Sequence, residues 1–266
     1  MIRTTCVRLG IFAVWVQMLL LAMVPLGLRA DIRIVTWNIS NYDGTNVTAS
    51  DIRNAIYGVY QGRSMNPDIV ITQEFETQIS VNNFLAALNN DPTKPNEWAA
   101  APFINGPNTE SAFFYRTRLF TFLGVTTVAM GSTTTDVNTQ PRNTYRYDVQ
   151  LKGYPNNPPV LACYAVHMKA GSDSGDLARR LVEARRIRTN AESLPSTWHF
   201  LMAGDTNIQS ATQTAYQELV ISKPNNSGRL FDPIHPFGTS PSTWNNSSTY
   251  RFIHTQDPSG NSTYGG

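Results

Sequence analysis

The chain predicts an α/β fold, and three observations predict it. Short apolar runs rich in β-branched residues end repeatedly on a polar side chain, at Asn38, Glu74, His167 and Asp205. The clearest helical stripe in the chain stands between the last two of these runs. In Leu201-Met202-Ala203-Gly204-Asp205-Thr206-Asn207, three apolar residues run into a glycine and then a polar loop. That is a buried strand ending in a tight turn, the place where an α/β sheet carries its chemistry.

Taken in order, residues 31–38 alternate polar and apolar and predict a first strand ending at Asn38, with a polar loop after it. Ser50 can cap a helix over 51–60. After Pro67, residues 68–74 form a second strand with a polar end at Gln73-Glu74, and 77–88 a short helix. Residues 111–116 and 119–128 flank a short polar turn and predict an antiparallel pair. The polar segment 131–140 predicts a mobile loop, and 142–151 resumes alternation. Val160 to His167 is apolar on both faces. Asp173 or Ser174 can then cap a helix whose stripe is Leu177, Leu181, Ala184, Ile187 and Ala191, and Pro195 stops it. Its arginines, at 179, 180, 185, 186 and 188, predict a solvated face. Residues 198–203 lead into Asp205, and beyond Asn207 the chain turns rich in Asn, Ser, Thr and Pro.

Composition narrows the function. Residues 1–30 join Arg3 and Arg8 to an apolar run from Gly10 to Leu28 and a small residue, Ala30, before Asp31. This predicts an export signal, hence a secreted or periplasmic protein; an uncleaved anchor is the alternative. Of 21 basic and 19 acidic residues, the signal takes three arginines, leaving the remainder near neutrality. No global positive field gathers polyanions, so nucleic-acid binding does not follow from charge. Cys6 leaves with the signal and Cys163 has no partner, so no intrachain disulfide is expected. Residues 31–266 suit one sizeable domain.

The polar strand ends form a set with a chemistry. Glu74 can hold a hard divalent cation through oxygen, and the amides of Asn38 and Asn207 can orient phosphate or water. Asp205 can deprotonate or position that water, and His167 can donate to a phosphoryl oxygen as charge develops. Each residue alone has a plainer reading, as a turn former, a helix-starting charge or a core histidine. Four of them at the same place in four strand units is what unrelated turn residues have little reason to produce.

Thr36-Trp37-Asn38, Gln73-Glu74, His167-Met168-Lys169-Ala170-Gly171 and Gly204-Asp205-Thr206-Asn207, in that order, resemble the endonuclease/exonuclease/phosphatase superfamily, which includes DNase I, exonuclease III and sphingomyelinases. The resemblance implies a four-layered α/β sandwich of two packed mixed sheets flanked by helices. It also implies Mg²⁺-dependent cleavage of a phosphoester by water, with Mn²⁺ or Ca²⁺ as alternative ions. Carried over by position, Glu74 would be a metal ligand, Asn38 a metal or phosphate contact, and His167 a phosphate-side donor. Asp205 and Asn207 would position nucleophile and phosphate, and Arg142 would bind phosphate, with Arg146 close in sequence. The substrate would be a phosphodiester of DNA, a phospholipid or a small phosphoester, and the protein a monomer without a stable protein partner.

The family's closing Ser-Asp-His motif has no counterpart after Asn207, since neither His235 nor His254 sits in an apolar strand ending Asp-His. The chain thus resembles the family without its C-terminal end. A calcineurin-like metallophosphoesterase is the enzymatic rival, but its Asp-x-His and Gly-Asn-His elements are missing. A non-catalytic exported binding protein on the same fold is the rival from another class.

Overall fold

Among the described residues, eight strands divide between two sheets of four, in the orders β1-β2-β4-β3 and β5-β6-β7-β8. The structure is a computed structural model that describes residues 31–91, 93, 95–233 and 244. The predicted export signal, and His235 and His254, lie outside the described residues. The first sheet holds β1 (Ile34–Tyr42), β2 (Ile69–Phe75), β3 (Trp98–Ala100) and β4 (Glu110–Arg116). The second holds β5 (Phe120–Ala129), β6 (Thr144–Leu151), β7 (Val160–His167) and β8 (Trp198–Asp205). The helices of the described residues are α1 (Ala49–Tyr57), α2 (Gln78–Asn89), α3 (Ser174–Glu192) and α4 (Thr214–Val220).

Strand alternation assigns the layers. On one face of the first sheet, Val70, Phe75 and Phe114 pack with Ile52 and Ile56 of α1 and with Val81, Phe84 and Leu88 of α2. On the outer face of the second sheet, Tyr164 and Val166 pack with Ala184, Ile187 and Ala191 of α3 and with Ala215 and Leu219 of α4. The intervening residues meet between the sheets, where Phe113 stacks on Tyr147 at 4.7 Å and Tyr115 on Phe122 at 5.8 Å. Helices, sheet, sheet, helices: this is a four-layered α/β sandwich, with both sheets mixed. Because side chains alternate, Cys163, Ala165 and His167 share the inner face of β7, and Asp205 that of β8.

Several elements differ from expectation. The segments 110–116 and 120–129 are not a hairpin: β4 pairs with β2 and β3, whereas β5 pairs with β6, so the turn between them passes the chain from one sheet to the other. Aromatic flanks promote pairing, but each strand finds its partners elsewhere: β4 is covered on both edges, by β2 and β3, and β5 runs along β6. β1 continues past Asn38 to Tyr42 through a register shift. Thr48, not Ser50, caps α1 by accepting from the Asp51 amide. The arginines of α3 are the largest departure. Arg179, Arg180 and Arg188 are buried, Arg186 binds the 138–140 segment, and Arg185 alone of the five is exposed. Burial of a guanidinium is tolerated where its donors are used, and Arg188 donates to the carbonyls of Glu218 and Ile221 at 2.8 and 2.7 Å.

Candidate active site

Parallel pairing brings the four strand ends together. β1 runs parallel to β2 and β7 to β8, with Asn38 opposite Gln73 and His167 opposite Asp205 in register. The carboxyl ends of both pairs meet at one pole of the sandwich. There the Asn38 Nδ2 donates to Glu74 Oε1 at 2.9 Å and to Asp205 Oδ2 at 3.1 Å. The His167 Nε2 lies 3.8 Å from that same Glu74 oxygen and 3.7 Å from that same Asp205 oxygen. Two carboxylates therefore sit side by side, one from each sheet.

Backbone irregularities aim these groups. The β1–β2 ladder shifts register between Asn38 and Tyr42, and the β2–β4 ladder between Thr72 and Phe75. Bulges of this kind redirect side chains at the edge of a site. Glu74 itself holds φ +66°, a left-handed conformation costing about 1–2 kcal/mol for a residue with a Cβ. Its carboxylate offsets that cost by accepting from the Asn41 amide at 2.9 Å as well as from Asn38. Gly204, at φ +145°, is required by space as well as by backbone, since a Cβ there would meet the Val166 carbonyl oxygen at 1.9 Å. The turn at Asn207, φ +51°, is fixed by its amide donating to Asp205 Oδ1 and its side chain donating to the Met168 carbonyl, both at 3.1 Å.

His167 is 7% exposed, and its pKa falls to about 4. Burial is the main cause and the charge of Arg142 the second; together they outweigh the pull of Asp205 and Glu74. The imidazole is neutral at physiological pH. Two carboxylates facing Nε2 favour the tautomer with the proton there, which makes it a donor aimed into the gap.

Arg142 and Arg146, four residues apart in sequence, have separate fates. Arg146 is committed to Asp148 through two bonds of 2.8 and 2.9 Å and to Asn190 at 2.9 Å. Arg142 is half-buried within electrostatic reach of Glu74, Glu183, Asp205 and Glu110. Its Nε has no hydrogen-bond partner among the described residues. Of the predicted residues, Asn38, Glu74, His167, Asp205 and Asn207 are thus brought into contact, with Arg142 beside them. The Asn38 amide oxygen accepts from the Ser40 backbone at 3.0 Å, which turns its nitrogen toward the carboxylates as a donor.

The sequence reading missed the residues that hold this cluster. Glu183, buried on α3, accepts from the Lys169 amide at 3.0 Å, and Arg180 donates to the carbonyls of Lys169 and of Gly171, the latter at 2.7 Å. Both bind the loop that follows His167. Arg179 donates to the Thr139 carbonyl, and Arg186 to Gln140 and the Asn138 carbonyl, each at 3.0 Å, so the predicted mobile loop before Arg142 is bolted to the same helix. The spacing was available: residues 180 and 183 stand three apart, and 183 lies four before Ile187 of the apolar stripe.

Burial raises the Glu183 pKa to about 7, against the pull of the Lys169 amide, Arg142, Arg179 and Arg180. Between the ordinary glutamate value and about 7 the folded state then binds more protons than the unfolded one, so this group's contribution to stability falls as pH rises through that window. Glu183→Gln keeps an oxygen for the Lys169 amide and removes the titration. The variant is expected to gain on the order of 1–3 kcal/mol over the wild type at pH 8 relative to pH 5, read by chemical denaturation. Parallel curves at the two pH values would contradict the assignment.

The carboxylate oxygens of this cluster are of the kind a hard divalent cation takes. Among the described residues, no three His, Cys, Asp or Glu side chains surround one ion position. Two adjacent carboxylates are nevertheless bridged by a neutral amide and faced by a neutral imidazole, with Arg142 the positive charge within electrostatic reach of both. Mg²⁺ is characteristically held by one or two carboxylates, with water and substrate phosphate completing its shell.

Two mixed sheets, helices on both outer faces and a polar cluster at the carboxyl ends of the parallel strands make a four-layered α/β sandwich, the architecture that the resemblance to DNase I-like proteins implies. Among solved structures the chain is similar to an endonuclease/exonuclease/phosphatase family protein from Bacteroides thetaiotaomicron, with 16% identity over 69% of this chain and 66% of that one, and a TM-score of 0.49. It is also similar to beta toxin from Staphylococcus aureus (11% identity, 71% of this chain and 70% of that one, TM-score 0.49). D. rerio TDP2 in complex with a single-strand DNA product is a third (16% identity, 68% and 62%, TM-score 0.43). The chain spans about three fifths of that TDP2 structure and of the human Nocturnin catalytic domain, 62% and 57% respectively. No protein-family profile and no curated protein matches it.

Proposed function

We propose that the protein is an exported, divalent-cation-dependent phosphodiesterase in which water attacks phosphorus. The observation that carries this reading is the meeting of Asn38, Glu74, His167 and Asp205, one from each of four strands and two sheets, within hydrogen-bonding or near-contact distance. Glu74 would hold the cation, with Asn38 beside it, and the cation would supply Lewis acidity and neutralise phosphate charge. Asp205 orients the attacking water and takes its proton, held in place by Asn38 and the Asn207 amide. His167 donates its Nε2 proton to a phosphoryl oxygen as negative charge grows there, a role that suits an imidazole kept neutral. Arg142, with a donor unused, binds a phosphate oxygen. Residues 1–30 direct the domain out of the cytoplasm in this reading.

The test is hydrolysis of bis(4-nitrophenyl) phosphate and of plasmid DNA across a Mg²⁺ titration. Glu74→Gln is expected to raise the Mg²⁺ concentration for half-maximal rate by tenfold or more. An unchanged metal dependence sinks the ligand assignment, and no metal-dependent hydrolysis of any phosphodiester by the wild type sinks the reading.

A further inference from the structure

The pole opposite the cluster has a chemistry of its own. Between α1 and β2 the chain makes a two-residue turn at Gln61 and Gly62, with φ of +49° and +74°, closed by Tyr60 and Arg63 exchanging backbone hydrogen bonds of 2.8 and 3.0 Å. Both central residues are left-handed, as in the tight turns that join hairpin strands. The turn is well bonded, yet it holds Val59 and Tyr60 outward at 72% and 78% exposure, with Met65 beside it at 45%. Scattered exposed apolar residues need no explanation, but three within seven positions on a pinned turn are a patch.

Cations frame the patch. Arg33 and Arg63 are exposed, and neither has a carboxylate within ion-pairing distance among the described residues. Arg33 reaches the carbonyls of Ser64 and Met65 at 3.4 Å, which sets its guanidinium against the patch. Asp68 and Glu97, on this side of the fold, are engaged by Arg116 at 3.9 and 2.8 Å. Lys152 and Tyr154, in the exposed β6–β7 turn, extend the same character, and Lys152 is tied to this pole through the Thr117 carbonyl. Aromatic and aliphatic tips ringed by unpaired Arg and Lys match the headgroup region of an anionic bilayer, where tyrosine sits at the interface and each cation gains from the surface potential. The chain also enters the fold here: Arg33 follows the apolar run Gly10–Leu28 by five residues.

We infer that this pole is a membrane-resting surface that takes an anionic phospholipid bilayer. One orientation follows. The strand-end cluster then faces away from the bilayer, and under the function proposed above its substrate is a phosphodiester in solution rather than a lipid of the membrane on which the protein rests.

The surface is tested without reference to activity. In the full chain carrying Cys6→Ser, a single environment-sensitive dye is placed through Tyr60→Cys or, as control, through Thr134→Cys in the exposed loop on the cluster's side of the molecule. Cys163 does not compete, because it is buried and its thiol pKa is raised far above normal. Vesicles of phosphatidylcholine with phosphatidylglycerol are expected to shift the dye at 60 to the blue and leave that at 134 unchanged. Arg33→Gln with Arg63→Gln should weaken that response roughly tenfold or more. No shift at 60, an equal shift on pure phosphatidylcholine, a matching shift at 134, or a shift produced by raising protein concentration without vesicles each overturns the inference. If the shift at 60 appears while hydrolysis fails its own test, the surface stands and the phosphodiesterase reading falls.

Discussion

Asp205→Asn is expected to lower turnover by about 10²–10⁴-fold while making the metal-free protein more stable, not less. The carboxylate receives three hydrogen-bond or near-ionic neighbours, from the Asn38 amide, the Asn207 backbone and the His167 ring. An asparagine of the same shape keeps one acceptor oxygen, so the loop retains most of its geometry. What disappears is the base that takes a proton from water, and with it the charge placed beside Glu74. Two carboxylates sharing a single amide nitrogen repel in the absence of a cation, and removing one relieves that repulsion. The expected gain is on the order of 1 kcal/mol, or about 2–4 °C in melting temperature. A variant that loses activity together with stability would show Asp205 to be structural. One that keeps both would remove it from the chemistry.

Arg180→Met carries the second large effect, on the fold rather than on the reaction. Arg180 is wholly buried, and its guanidinium bridges the Lys169 and Gly171 carbonyls in the loop directly after His167. Asp176 and Glu183 supply the opposing charge. Methionine fills much of the volume but leaves two carbonyls unpaired and Glu183 short of a counter-charge. Breaking a buried network in this way costs about 3–5 kcal/mol, roughly 6–20 °C in melting temperature for a chain of this size. Thermal unfolding measures it directly, and a loss below about 1 kcal/mol would show that the loop is held by other contacts. Arg185→Met, on the exposed face of the same helix, serves as the comparison and is expected to fall within about 0.5 kcal/mol of the wild type.

These two residues mark the division between what the chain announces and what its folding decides. The sequence by itself determined the alternation of strands and helices, the burial of β7 on both faces, the capping of α3 at Asp173 or Ser174 and the polar residue at the end of four strands. Each of those depends on a period of two or 3.6 residues, or on one capping side chain, and is therefore written locally. It also made Asn38, Glu74, His167, Asp205 and Asn207 a set before any distance was known.

Which sheet each strand joins was decided only in three dimensions. β4 and β5 have the flanks and turn of a hairpin, but β4 gains more by closing on β2 and β3, and β5 by closing on β6; the preference depends on partners far away in sequence. The bulges that aim Asn38 and Glu74, and the positive φ of Glu74, exist because neighbouring strands, a parallel β1–β2 pair and an antiparallel β2–β4 pair, fix the register around them. Arg142 and Arg146 look interchangeable in sequence, and only the position of Asp148 and Asn190 commits one of them to structure. The arginines of α3 were the hardest to foresee. Charge on a helix ordinarily marks the solvent side, and here the tertiary fold supplies buried carbonyls and a buried glutamate as partners, so the charged face turns inward and holds both loops of the site. Local pattern sets which groups reach the ends of the strands, and the long-range contacts between sheets and helix set which of them meet.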